Sequence, residues 1–154
     1  MASYSRYEYN ATVSFGRSTA TNAYKAQKAF LDFWDGKITQ ASFVSTLTNL
    51  GATIVEGVFN STGYAAIPGF VANALANANA WEKSLVREVA VKGKDELSDL
   101  MQTFLDNTNY ASITFRVNYL AFKNLATGKV DFTVVQGNII PTKIITTGGG
   151  TIPL

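Results

Sequence analysis

The chain contains no cysteine and no histidine. The first absence excludes disulfides and thiolate metal sites. The second removes the commonest general base and the commonest metal ligand. Ser-His-Asp, Cys-His and His-ligated zinc chemistry are therefore excluded, and only carboxylate or lysine chemistry stays open. Charge is scarce as well. Asp, Glu, Lys and Arg make up 16% of the 154 residues, against an ordinary share of ~25%. The net charge is +2, and Lys and Arg form no block. A nucleic-acid binder needs a clustered basic face, so no nucleic-acid partner is expected. The N-terminal stretch MASYSRYEYN has neither an apolar central region nor a cleavage pattern. The expectation is a protein that is cytoplasmic as synthesised, or released without a classical signal peptide. The sequons at Asn10 and Asn60 are then chance matches.

What fills the space is Thr, Asn, Ala and Gly, with 47% hydrophobic residues. The length fits one domain, enough to bury roughly two thirds of its unfolded surface. Tyr7, Tyr9, Ala11, Val13 and Phe15 alternate with polar residues, which predicts a half-buried strand. Ser18 or Thr19 can cap a helix to about Asp35, with Ala23, Ala26, Phe30, Phe33 and Trp34 on one stripe. Thr39 caps a second helix carrying Phe43, Val44, Leu47 and Leu50. The run ATIV has no clear type. A long helix is predicted from about Gly69 to Lys92, ended by Gly93, and another over Asp95–Asp106. Period two returns at Ile113, Phe115, Val117, Tyr119 and Ala121, and VDFTVVQ completes a hairpin. Pro141 marks NIIPTKIITT as an edge strand or a bulge.

The order predicts an α+β fold. An antiparallel sheet, built from the N-terminal strand and a C-terminal β-meander, packs against about four helices from the middle of the chain. Residues 1–145 form one domain, and residues 146–154 a Gly/Thr-rich tail, flexible or held by a partner.

Chemical motifs are weak. DGKIT at 35–39 echoes a calcium loop, but that register puts Leu31, Phe33 and Ser42 where oxygen ligands are required. Glu96 and Asp99 share a helix face, yet a solvated helix N-terminus explains them better than paired catalytic acids. GGG at 148–150 precedes no helix and is no phosphate loop. No catalytic, cofactor or metal residues are expected. Glu56 and Arg116 stand out as isolated charges among apolar neighbours. Such a charge must face solvent, pair or shift its pKa, and the solvent reading is favoured for both.

From Ile38 to Trp81 only Glu56 is charged. Asn60, Asn73, Asn77 and Asn79 oppose a lipid-facing helix, and Gly63 and Pro68 interrupt one. Ala72, Ala76 and Ala80 form a small-residue stripe that permits close helix packing. The leading expectation is a non-enzymatic, self-associating structural protein: a subunit of a filament, shell, virion component or inclusion. Its partner is a copy of itself. The contacts are expected on Ala72, Asn73, Ala76, Asn77 and Ala80, on the edge strand at Ile139, Ile140 and Ile144, and on the tail at Ile152 and Leu154. The alternative is a membrane-active, pore-forming toxin that inserts residues 38–81. The third is a small carboxylate-dependent enzyme, or a ligand-binding module using Trp34, Trp81, Phe115 and Tyr119.

Overall fold

The computed structural model describes residues 3–61 and 63–154. An N-terminal strand β1 (Tyr4–Gly16) is followed by five helices: α1 (Arg17–Trp34), α2 (Gln40–Leu50), α3 (Ala52–Phe59), α4 (Ala66–Asn77) and α5 (Ala80–Asp106). Strands β2 (Tyr110–Asn124), β3 (Val130–Thr146) and β4 (Thr151–Pro153) close the chain. All neighbouring strands are antiparallel, in the order β1-β2-β3-β4. The fold is α+β as expected, with five helices among the described residues against an expected count of about four.

Local chemistry explains most boundaries. The Thr39 side chain accepts a hydrogen bond from Ser42 N at 3.1 Å and starts α2. Gly51 (φ 99°) separates α2 from α3, so ATIV becomes the first turn of a helix. The predicted helix over 69–92 is broken. Ala78 is extended, and Asn79 forms a capping box with Glu82 that restarts the chain as α5. Two of the Asn residues in the uncharged region sit at helix ends: Asn79 caps the start of α5, and at the end of α4 the Asn77 side chain donates to Asn73 O at 2.8 Å.

The predicted stop at Gly93 is also corrected. Gly93 is buried inside α5, and a Cβ there would lie 1.8 Å from the carbonyl oxygen of Val135. The missing side chain lets α5 lie directly on β3, while helical hydrogen bonding carries the chain through. The far end of α5 is capped from a distance. The Arg17 guanidinium donates to the carbonyls of Phe104, Asn107 (3.2 Å) and Tyr110 (3.4 Å). A cation at a helix C-terminus also meets the favourable end of its dipole.

The inner sheet face carries Tyr9, Ala11, Val13 and Phe15, opposite Tyr119, Val117, Phe115 and Ile113. Near the β2–β3 turn the strands are buried on both faces, through Tyr119–Phe122 and Phe132–Val135. Phe122 and Phe132 stack at 4.3 Å, and Phe132 meets Phe30 at 6.3 Å. On the other face Thr133 Oγ1 donates to Val58 O and the Tyr119 hydroxyl to Gly57 O, each at 2.8 Å. Burial raises the pKa of Tyr119 above the usual phenol range, with a smaller contribution from Tyr9. Each fully buried Phe contributes about 2–3 kcal/mol by burial. The uncharged region 38–81 supplies much of this core through Phe43, Leu47, Val55, Val58, Phe59, Ile67 and Val71. No helix among the described residues is long and apolar enough to cross a membrane.

Candidate interaction surface: two edges of one sheet

A strand at a sheet edge presents backbone N–H and C=O groups to whatever lies beside it. Along β3 these groups are taken at Val135, at Asn138 and Ile139, and from Thr142 to Ile145. Gln27, fully buried on α1, donates from Nε2 to Val135 O at 2.6 Å and accepts from Val135 N at 3.1 Å. Its amide thus stands where the backbone of a neighbouring strand would. The same Nε2 also donates to Ala90 O at 3.2 Å, joining α5 to the arrangement. Further on, β3 bulges at Gly137 (φ 124°) and Asn138 (φ 54°). The Glu96 carboxylate there accepts from Asn138 N and Ile139 N, both at 2.8 Å. Beyond Pro141, β4 pairs with Lys143–Ile145, and Leu154 N donates to Thr142 O at 3.1 Å.

This corrects two expectations. The strand over Ile139–Ile145 is no free edge, because Glu96 and β4 occupy it. Residues 146–154 are no separate tail, because they turn through Gly149 (φ 84°) and join the sheet.

The opposite edge differs. Leu125 N donates to Ser3 O at 2.9 Å, which makes Ser3 and Leu125 a hydrogen-bonded antiparallel pair. Pair types alternate along a ladder, and the β1–β2 register runs unbroken. The odd residues of β1 therefore direct their backbone groups to β2. Tyr4, Arg6, Glu8, Asn10, Thr12 and Ser14 direct theirs outward, where no strand of the described residues pairs with them. From Glu8 to Ser14 these even positions are exposed.

The surface near this edge is polar but little charged. Asn10 Nδ2 donates to Asn118 Oδ1 at 2.8 Å, and the hydroxyls of Ser14 and Thr114 lie 2.6 Å apart. Glu8 accepts from Gln136 Nε2 at 2.6 Å. Arg6 pairs with Glu82 at 2.8 Å, and that hydrogen bond holds the Glu82 carboxyl below the usual glutamate range. Burial lifts the Tyr4 phenol above its ordinary range, with help from its hydrogen bond to Asp131.

The remaining candidate residues are scattered. Ala72 and Asn73 are half-buried on α4, Ala76 and Asn77 are exposed there, and Ala80 belongs to α5, so the stripe is split between two helices. Ile144 is 6% exposed and belongs to the chain's own core, which removes it as a contact residue. Ile139 is half-buried. Ile140 lies opposite Arg116 on the outer sheet face, whereas Ile152 lies opposite Ile144 on the inner one. Ile152 and Leu154 are exposed. Arg116 is exposed on the outer face, and Glu56 is exposed on α3 over the inner face. The structure does not bring these two charges together.

Nor do the acids converge in a cleft. The hollow between β1, α4 and α5, about 220 Å³, is lined by Arg6 and Glu82, already paired. The groove holding Glu96 and Asp99 has Glu96 committed to the β3 backbone. Among the described residues no three acidic side chains cluster to hold a metal. The fold and its surface define an α+β protein whose sheet is capped at several points along one edge and, among the described residues, unpaired along the other. No protein-family model, curated protein or solved structure matches this chain.

Proposed function

We propose that this chain is a non-enzymatic subunit that self-associates through its sheet, as a building block of a larger structure. The observation behind the reading is the contrast between the edges. A 13-residue edge strand with outward backbone groups is a template for strand addition. Proteins usually blunt such edges with charge, proline or a covering element. β1 contains no proline and only Arg6 and Glu8 as charges, while the same fold commits Gln27, Glu96 and β4 to the other edge. Sparse surface charge supports the reading, because it lowers the repulsion between copies.

Light scattering across a concentration series tests this. The expected result is an assembly whose mass rises with concentration. Glu8→Pro, which removes an outward N–H at a position where an edge strand tolerates proline, is expected to abolish it. A wild-type protein that stays monomeric at high micromolar concentration would overturn the reading.

A further inference from the structure

The open edge also specifies how two copies fit, and we infer that β1 pairs antiparallel with β1 of a second copy about a two-fold axis at Tyr7. This rests on the self-association reading and adds the register. Outward backbone groups belong to the even residues, so an antiparallel β1–β1 ladder must pair even with even. Several centres satisfy that rule, and the side chains discriminate among them.

A centre at Glu8 sets Glu8 against its own copy, a repulsive cross-strand pair. A centre at Tyr9 or beyond sets Arg6 and Glu8 against Asn10, Thr12 or Ser14, with no charge complement. A centre at Tyr7 sets Arg6 against Glu8 of the second copy, and Glu8 against Arg6, on one face of the joined sheet. Opposite charges directly across a ladder are favourable. Tyr4 then faces Asn10, so the even pairs are Tyr4–Asn10, Arg6–Glu8 and their two symmetry mates. These are four hydrogen-bonded pairs of two bonds each, spanning residues 4–10.

The side chains have room for this. Arg6 gives Nη1 to Glu82, and a guanidinium has four further N–H donors. Glu8 receives Gln136 on Oε1 only. On the other face, Tyr7 is 46% exposed and lies 6.2 Å from the Tyr9 ring. In this register the two Tyr7 side chains meet at the axis, in a non-hydrogen-bonded pair where side chains approach most closely. The joined sheet would run β4-β3-β2-β1-β1-β2-β3-β4. Its outermost strands are the two β4 strands, each only three residues long, so pairing through β1 joins two copies and no more.

The absence of cysteine makes the test clean, because any disulfide in a single-cysteine variant joins two chains. Across a non-hydrogen-bonded pair the Cα atoms lie ~4.5 Å apart, within disulfide reach. Tyr7→Cys and Ala11→Cys are oxidised under the same mild conditions and run on non-reducing gels, with wild-type mass measured in parallel. The expected result is near-complete covalent dimer for Tyr7→Cys and at least tenfold less for Ala11→Cys. Glu8→Arg, which faces Arg6 of the second copy, is expected to weaken association at least tenfold. Adding Arg6→Glu to that variant is expected to restore it. If the wild type assembles but Ala11→Cys links as readily as Tyr7→Cys, the register is overturned and self-association stands. The same holds if neither variant links. A monomeric wild type defeats both claims.

Discussion

The two long edges of this sheet receive opposite treatment from one chain. Along β3, a buried amide from α1, a carboxylate from α5 and the returning C-terminus cover the backbone in succession. Along β1, six residues aim their backbone groups away from the sheet, and the four from Glu8 to Ser14 are exposed. The difference teaches that the open edge is no general looseness of the fold. At Val135, where β3 is buried in the core, both backbone groups are satisfied by Gln27, because an unpaired buried amide or carbonyl costs about 1–3 kcal/mol. Where β1 lies at the surface, water satisfies it in the single chain, and a second strand can replace the water at little net cost.

The largest expected effect comes from the contact that seats α5 on β3. Gly93→Ala would place a methyl group against the Val135 carbonyl. Overpacking against backbone of this kind is expected to destabilise by about 3 kcal/mol or more, read by urea unfolding. Gln27→Leu keeps the volume but orphans both Val135 groups, and is expected to cost about 2–4 kcal/mol in the same assay. An unchanged midpoint would show that the amide does not stand in for a strand. Glu96→Ala is expected to cost less, about 1–2 kcal/mol. It also opens a second edge, so the variant should form larger species than the wild type by light scattering.

The smallest effect is on pH dependence. Glu82 is held below its ordinary pKa by Arg6, so the folded state binds its proton less readily than the unfolded chain does. The stability from this pair is present above the ordinary glutamate range of about 4.3. It is lost as pH falls through the lower folded value. Because the pair is at the surface, Glu82→Gln should flatten the acid limb of stability against pH only slightly.

How much was legible in the sequence depended on whether the cause was local. The alternation over Tyr7–Phe15 and Ile113–Ala121 announced the sheet, and Thr39 announced α2. Asn79 was readable in principle, since Glu82 follows three residues later as a capping box requires. The strong Ala and Leu periodicity around it masked the break. Gly93 could not be read locally. Its role is set by Val135, distant in sequence, and only tertiary contact separates a helix stop from a helix contact. Gln27 left one trace, a polar residue within the stripe of Ala23, Ala26 and Phe30, but its partner was not visible. The open edge itself was missed for a physical reason. Alternation shows that β1 is a strand, whereas neighbour order in a sheet is decided by pairing across the whole chain.

Amide hydrogen exchange at low and high protein concentration tests the contrast most directly. The account predicts that Val135, Asn138 and Ile139 are protected at both concentrations. Arg6, Glu8 and Asn10 should exchange fast when dilute and gain protection as copies associate. Protection of Arg6, Glu8 and Asn10 in the dilute monomer, or their continued fast exchange in an assembled sample, would contradict it.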